Sequence, residues 1–209
     1  MNLPNKLTTI RMALVVALIV LLVFPYSYFA IEVPYVLNGA VSLVYLIGAV
    51  IFIIAAITDF FDGYFARKLN LITNYGKFMD PIADKLLVNS LLIILIAPQF
   101  AYHQAVPLIL VVLMIGRDII VDGFRLVAAN QNKVLAANIF GKIKTVLQMI
   151  AIVLYLLNDF PFSNQMTGSA PPFVSLIIMI LATVASVTSG IIYIAKNRHV
   201  LSEETSADE

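Results

Sequence analysis

The sequence predicts an all-α integral membrane protein with six transmembrane helices. Of its 209 residues, 61% are hydrophobic and only 12% are charged. The mean hydropathy of +0.98 lies far above the range of water-soluble domains. Long apolar runs occur at 12–24, 40–58, 86–98, 105–116, 146–157 and 173–195. Because a spanning helix needs about 20 residues, we interpret these runs as six helices in one domain, residues 1–201.

Turn-forming and polar residues delimit the six helices in order. Pro4 and Thr8 lie where the first helix begins, and the polar links at 69–75 and 130–133 separate helices two and three, and four and five. Several runs reach spanning length only with their polar flanks, at 58–67, 80–85, 117–125 and 142–148. We therefore expect these flanks to line an internal polar cavity. The acidic tail, 202–209, is predicted to be disordered.

The basic residues predict the topology. All 13 Lys and Arg residues lie at the N-terminus, in 67–85, in 117–144, or at Lys196 and Arg198, whereas 25–41, 97–106 and 158–172 contain none. Cytoplasmic loops of membrane proteins are enriched in Lys and Arg. With six spans, both termini and the polar cavity are therefore predicted to face the cytoplasm. The absence of cysteine excludes disulfides and thiolate metal ligands.

Four carboxylates lie in or beside apolar helices: Asp59, Asp62, Asp80 and Asp84. A charge at the bilayer centre costs roughly 2.5–3.5 kcal/mol, while an apolar residue returns only about 0.3–0.6 kcal/mol. Residues three or four apart share a helix face, so the carboxylates form two stripes. If the cytoplasmic ends of helices two and three pack together, these carboxylates suit a pair of oxygen-ligated divalent ions. The alternative is a structural ion-pair network with Lys77 and Lys85.

The aspartates belong to a longer motif: Asp59-x-x-Asp62-Gly63-x-x-Ala66-Arg67, eight further residues, then Gly76-x-x-x-Asp80-x-x-x-Asp84. The small Gly63 and Ala66 would let a bulky ligand approach the helix, and Arg67 can bind a phosphate. The motif resembles the complete signature of the CDP-alcohol phosphotransferase family. Three segments are also similar to the bacterial phosphatidylglycerophosphate synthases of that family: 4–11, 117–125 and 141–145.

The resemblance implies transfer of a phosphatidyl group from CDP-diacylglycerol to an alcohol, with release of CMP. It implies two divalent ions, Mg²⁺ or Mn²⁺, held by Asp59, Asp62, Asp80 and Asp84, with Asp84 also acting as the general base. The residues that it implies for CDP-diacylglycerol are Asn5, Thr8, Gly63, Ala66, Arg67 and Gly76. It further implies a homodimer among the lipids of the bacterial cytoplasmic membrane, with no nucleic-acid partner.

Basic residues of helices four and five predict a phosphorylated acceptor, and the resemblance implies that this acceptor is sn-glycerol 3-phosphate. The residues are Arg117, Arg125, Lys142 and Lys144. The two arginines lie two turns apart on overlapping faces and can donate to a dianionic phosphate. Arg117 could instead simply pair with Asp118, with Asp122 or with one of the four aspartates in 59–84. The two lysines lie about 200° apart around a helix, so both would serve one site only if the helix begins between them.

Other functions stay open from the sequence. Sister enzymes of the family would use serine, inositol phosphate or a phospholipid such as phosphatidylglycerol as acceptor, and the basic residues argue against serine. Aspartate-rich membrane prenyltransferases also bind metal diphosphates, but two separated acidic motifs are expected of them. A divalent-cation transporter would carry its carboxylates near mid-membrane, often in two related halves. No internal repeat is visible in this sequence.

Overall fold

A computed structural model of the chain describes residues 3–37, 39–68, 74–97, 105–131, 139–162 and 173–198, without the side chains of residues 3, 4, 60–68, 74, 75, 77 and 173. The described residues form six α-helices and one two-stranded ribbon. In chain order these elements are α1 (Leu3–Val23), β1 (Tyr35–Val36), β2 (Val41–Ser42), α2 (Leu43–Lys68), α3 (Asn74–Ile94), α4 (Leu108–Asn130), α5 (Ile139–Leu156) and α6 (Phe173–Asn197).

The helical fold predicted from the sequence is confirmed, and a short antiparallel ribbon is added to it. Tyr35 pairs with Ser42, and Val36 pairs with Val41. Gly39 lies in the connecting turn with a φ of 85°, a left-handed conformation that glycine adopts without steric cost. Strands of two residues are too short to produce a periodic pattern, so the sequence predicts only a connection there.

Three described helical segments are long and apolar enough to cross a membrane: Asn5–Val23, Ile139–Leu156 and Val174–Asn197. A shorter apolar segment, Leu43–Asp59, forms most of α2. Charged residues interrupt α3 and α4, which lowers the hydropathy of these helices. The architecture is consistent with a helical membrane protein.

The chain divides into two compact units. The first consists of Met1–Val106 and Ile152–Val174, and the second of Pro107–Ala151 and Ser175–Glu209. In the first unit α1 packs against both α2 and α3. A stripe of α1 residues spaced three and four apart is buried: Val15, Leu18 and Leu22. A Cβ added to Gly48 would lie 3.0 Å from Leu22 Cδ2, so α1 and α2 approach closely at this point.

The buried stripes of these three helices end in charged residues. On α1 the stripe extends back to Arg11, which is only 1% exposed. On α2 it reaches Asp59, four residues after the buried Ala55, and on α3 it begins at Asp80, three residues before the buried Ala83. The helical repeat therefore brings one cation and two carboxylates to the polar end of an otherwise apolar core.

The second unit contains α4, most of α5 and most of α6. The buried residues of α4 are spaced as one helical stripe: Val111, Met114, Val121 and Ala128. Asp118 and Arg125 continue that spacing. The buried face of α6 carries small and hydroxylated residues: Ala182, Thr183, Ser186 and Ser189. Small residues allow membrane helices to pack closely, and here they leave space for long basic side chains.

Candidate functional site

Arg11 joins two of the predicted metal ligands. Its guanidinium group forms ion pairs with Asp59 through Nη1 and with Asp80 through Nη2, the latter at 3.0 Å. The arginine side chain is 1% exposed, whereas the side chains of Asp59 and Asp80 are 38% and 44% exposed. A buried arginine is stable only when its charge is paired, so the two carboxylates stabilise Arg11 from the outer side of the core.

Thr8 contacts the same aspartate from one helical turn earlier on α1. Its Oγ1 donates a hydrogen bond to Asp80 Oδ1 at 2.9 Å, the oxygen that also accepts from Arg11. Thr8 is predicted to bind CDP-diacylglycerol, and the structure places its hydroxyl on a predicted metal ligand. Asn5, also predicted for the lipid, is half-buried, and its backbone carbonyl accepts from Thr9 Oγ1 at 2.9 Å. Nucleotide contact by Asn5 and Thr8 stays a prediction.

The other residues predicted for this site lie on α2 and α3. Asp84 and Gly76 are half-buried on α3, and Asp84 follows Asp80 by one turn. Four more lie on α2, where the structure describes the backbone but not the side chains: Asp62, Gly63, Ala66 and Arg67. Among the side chains that are described, no three acidic or histidine residues gather closely enough to hold a metal ion.

The described aspartates nevertheless have the chemistry of a cation site. Asp59 and Asp80 come from different helices, and their oxygens converge on one positive group. Carboxylate oxygens are the ligands that Mg²⁺ and Mn²⁺ prefer. Both side chains are also partly exposed, so each retains oxygen lone pairs that a solvent-borne cation can reach. Asp59 and Asp80 therefore fit the predicted divalent ions, whose binding stays a prediction.

In the second unit, the four residues predicted for the acceptor surround a single cavity of about 400 Å³. The cavity is lined by Arg117, Arg125, Gly141, Lys142, Lys144, Thr145, Val146, Ser189 and Tyr193. Four of these side chains are cationic, and the described lining includes no carboxylate. The cavity is therefore suited to an anion, although acceptor binding by these residues stays a prediction.

Asp118 lies outside the cavity lining and forms ion pairs with two of the cavity's cations. Arg117 Nη1 donates to Asp118 Oδ1 at 2.9 Å, and Lys144 Nζ donates to Asp118 Oδ2 at 2.6 Å. The pairing of Arg117 with Asp118 that the sequence leaves open is thus present, and Arg117 lines the cavity as well. Asp118 therefore offsets part of the positive charge of the four cations that line the cavity.

Both lysines of α5 border the cavity although they leave the helix in nearly opposite directions. The described part of α5 begins at Ile139, before Lys142 and Lys144, so the helix does not need to begin between them. Lys144 is 6% exposed and ends on Asp118, whereas Lys142 is exposed. Lysine side chains are long and flexible enough to extend around a helix. The angle of about 200° describes only where the two side chains leave the helix, so it does not prevent both ammonium groups from reaching one cavity.

Helix α6 supplies residues that the sequence does not single out. Arg117 Nη2 donates to Ser189 Oγ at 2.8 Å. Arg125 Nε donates to the Tyr193 hydroxyl at 3.4 Å, and its guanidinium carbon lies 5.6 Å from the centre of that ring. Ser189 and Tyr193 are four residues apart and both are buried, so they lie on the same face of α6. Nothing in their residue types indicated that they contact the basic residues of α4.

Comparisons with known proteins agree with the motif at 59–84. Residues 1–193 match the sequence profile of the CDP-alcohol phosphatidyltransferase family. The chain is 42% identical over 200 residues to the CDP-diacylglycerol–glycerol-3-phosphate 3-phosphatidyltransferase of Bacillus subtilis, a match covering 96% of this chain and 97% of the relative. A protein of the same name from Mycoplasma pneumoniae is 40% identical over 174 residues, with coverage of 81% and 73%. Another, from Rickettsia bellii, is 37% identical over 158 residues, 76% of each chain.

Proposed function

Because the chain belongs to the CDP-alcohol phosphatidyltransferase family, we propose that it transfers the phosphatidyl group of CDP-diacylglycerol to sn-glycerol 3-phosphate, giving phosphatidylglycerol phosphate and CMP. The observation that carries this assignment is the cationic cavity formed by α4, α5 and α6. A phosphate monoester carries nearly two negative charges at neutral pH, and paired arginines and lysines are its usual protein partners. An uncharged alcohol or the zwitterion serine would gain little from four cations.

The proposed reaction exchanges the phosphoanhydride bond of the diphosphate for a phosphate ester bond to the acceptor. The acceptor hydroxyl oxygen forms a bond to the phosphorus that carries diacylglycerol. The bond between that phosphorus and the oxygen of CMP breaks, and CMP leaves with the electron pair. The hydroxyl proton passes to a carboxylate, for which we infer Asp84, one turn beyond Asp80 on α3.

The divalent ions, Mg²⁺ or Mn²⁺ and two in number, are proposed to be held by Asp59, Asp62, Asp80 and Asp84. When bound, they would offset the negative charge of the diphosphate and of the departing CMP. Arg11 supports this arrangement because it holds Asp59 and Asp80 from the buried side and leaves both partly exposed. The lipid nucleotide is assigned to the remaining motif residues and the start of α1: Asn5, Thr8, Gly63, Ala66, Arg67 and Gly76.

The acceptor can be identified with purified protein, CDP-diacylglycerol in detergent micelles, and Mg²⁺. We expect CMP release with glycerol 3-phosphate and little or none with glycerol, serine or inositol phosphate, because only the first combines a small polyol with the dianion that the cavity favours. CMP is measured by chromatography, and the lipid product by mass spectrometry. Comparable CMP release with serine or inositol phosphate would instead assign the chain to a sister activity.

We further infer six spans, with both termini and the polar residues on the cytoplasmic side of the bacterial cytoplasmic membrane. Three long apolar helical segments and the alternation of loops with and without Lys and Arg support this topology. The charged flanks of α3 and α4 would then lie within the protein or its water-filled cavity. The homodimer that the family resemblance implies stays a prediction.

The topology can be tested with single cysteines, since the chain has none of its own. Ser27→Cys places an exposed thiol in a connection without Lys or Arg, and Asn130→Cys places one at the end of α4. A membrane-impermeant maleimide should label the first in intact cells and the second only after permeabilisation. The cysteine-free parent is the background control. Labelling of both from the same side would contradict six spans.

A further inference from the structure

Neighbours on two helices hold Arg117 in one orientation. Its Nη1 donates to Asp118 on α4 at 2.9 Å, and its Nη2 donates to Ser189 on α6 at 2.8 Å. The side chain is 16% exposed. The guanidinium group is planar with fixed N–H directions, so two bonds from different nitrogens determine the orientation of its plane. The N–H groups that remain can then point only in defined directions.

The stem of Arg117 lies against α6 where residue 190 has no side chain. A Cβ added to Gly190 would lie 2.8 Å from Arg117 Cγ and 3.3 Å from its Nε. Carbon atoms do not pack at 2.8 Å, so any larger residue would displace the arginine stem. Glycine is a poor helix former, and this close approach is a physical reason for its presence inside α6.

Arg125 follows Arg117 by two turns on α4 and contacts the same face of α6, through Tyr193. The distance of 3.4 Å between Arg125 Nε and the Tyr193 hydroxyl is long for a hydrogen bond, so the aromatic ring, 5.6 Å from the guanidinium carbon, is the stronger partner. Tyr193 is 3% exposed, which limits the movement of its ring. Arg117 and Arg125 meet Ser189 and Tyr193 in the same chain order, so α4 and α6 run in the same direction here.

We propose that Ser189, Gly190 and Tyr193, the α6 wall, position the two arginines for the phosphate of the acceptor, so that phosphorylated alcohols are preferred. The proposal rests on the proposed function, because it concerns the acceptor of that reaction. Fixing a long arginine before the acceptor arrives reduces the conformational entropy lost on binding. The three wall residues act through Arg117 and Arg125, so they are positioning residues and affect acceptor affinity more than the chemical step.

The test compares the steady-state kinetics of the purified full-length chain and its wall variants in CDP-diacylglycerol micelles. Ser189→Ala and Gly190→Ala should each raise the KM for glycerol 3-phosphate by about tenfold, the loss expected for one charge-assisted hydrogen bond. The kcat and the KM for CDP-diacylglycerol should stay near their original values. Tyr193→Phe keeps the aromatic ring and should raise the KM for glycerol 3-phosphate only slightly. Tyr193→Leu removes the ring and should raise this KM more. The inhibition constant of inorganic phosphate against the acceptor should rise in parallel.

A matched control separates positioning from general helix damage. Gly116→Ala adds the same methyl group to α4 at a position where an added Cβ meets nothing within 4 Å, and its acceptor KM should not change. Alanine is a better helix former than glycine, so its helix propensity should offset part of the cost of moving the arginine stem, and thermal unfolding should show that Gly190→Ala is still folded at the assay temperature. An unchanged acceptor KM in Gly190→Ala, or an equal rise in the KM for the lipid, would overturn the positioning role.

Arg117→Ala distinguishes failure of this inference from failure of the proposed function. If Arg117→Ala raises the acceptor KM strongly and the wall variants do not, the acceptor cavity stands and the role of the α6 wall is wrong. If Arg117→Ala leaves the acceptor KM unchanged, the cavity is not the acceptor site, and both the wall and the assignment of glycerol 3-phosphate to this cavity fail together.

Discussion

Replacing Asp80 with asparagine should remove nearly all CMP release while the protein remains folded in the membrane. The amide keeps the size of the side chain and one oxygen that can still accept from Thr8 and Arg11, but it loses the charge that a divalent ion requires. Breaking a fully buried ion pair costs about 3–5 kcal/mol of unfolding free energy. The cost at Asp80 should be smaller, because its side chain is 44% exposed and Asp59 still pairs with Arg11.

Metal affinity is the measurement that separates this loss from unfolding. Mn²⁺ titration followed by electron paramagnetic resonance should show at least about tenfold weaker Mn²⁺ affinity in Asp80→Asn. Mutation of a residue that only hydrogen-bonds to a metal ligand already lowers metal affinity by about that factor. Asp59→Asn should behave in the same way. Glu32→Gln, which alters an exposed carboxylate in the connection after α1, is the control and should bind Mn²⁺ normally.

Removal of metal from the unaltered protein provides the reciprocal experiment. Chelation should abolish turnover, and added Mg²⁺ or Mn²⁺ should restore it, because the diphosphate and the departing CMP would otherwise lack charge compensation. Activity that persists in a thoroughly chelated sample would contradict the two-ion interpretation, whatever the variants show.

The helices and the family motif could be predicted because both are local patterns in the sequence. Apolar runs locate membrane helices directly, and eight fixed positions within 59–84 are specific enough to indicate a family. The ion pairs of Arg11 are different, since Arg11 and Asp80 lie 69 residues apart. A usable signal was present in the helical spacing, because Arg11 precedes Val15 by four residues on the stripe that α1 buries. The charge of Arg11 conceals that periodicity in a hydropathy pattern.

The basic residues of the cationic cavity could be predicted from the sequence, whereas the α6 residues that contact them could not. Arginines beside apolar runs are conspicuous, whereas Ser189 and Gly190 look like ordinary small residues of a closely packed membrane helix. Their significance depends on contact with Arg117, and Ser189 and Arg117 are 72 residues apart. Lys142 and Lys144 show a second reason: their helical angle suggests opposite sides, but side-chain length lets both border one cavity.

Asp84→Asn should separate the general base from the metal ligands. If Asp84 mainly accepts the proton of the acceptor hydroxyl, this variant should lower the single-turnover rate by roughly 10²–10⁴-fold, the usual contribution of general base catalysis. Binding of CDP-diacylglycerol should remain largely intact, because the other aspartates can still hold an ion against the diphosphate. Asp80→Asn should weaken lipid binding as well, since Asp80 is assigned to the ground-state complex.

The distinction between Asp84 and Asp80 rests on when each interaction forms. A group that acts only in the transition state changes the rate and leaves substrate affinity unchanged, whereas a metal ligand stabilises the bound substrate and the transition state together. Affinity for a CDP-diacylglycerol analogue, compared with the single-turnover rate in the same preparation, gives both quantities. Equal losses of affinity in Asp84→Asn and Asp80→Asn would make Asp84 an ordinary ligand, and the proton would then have to leave the acceptor by way of another carboxylate or water.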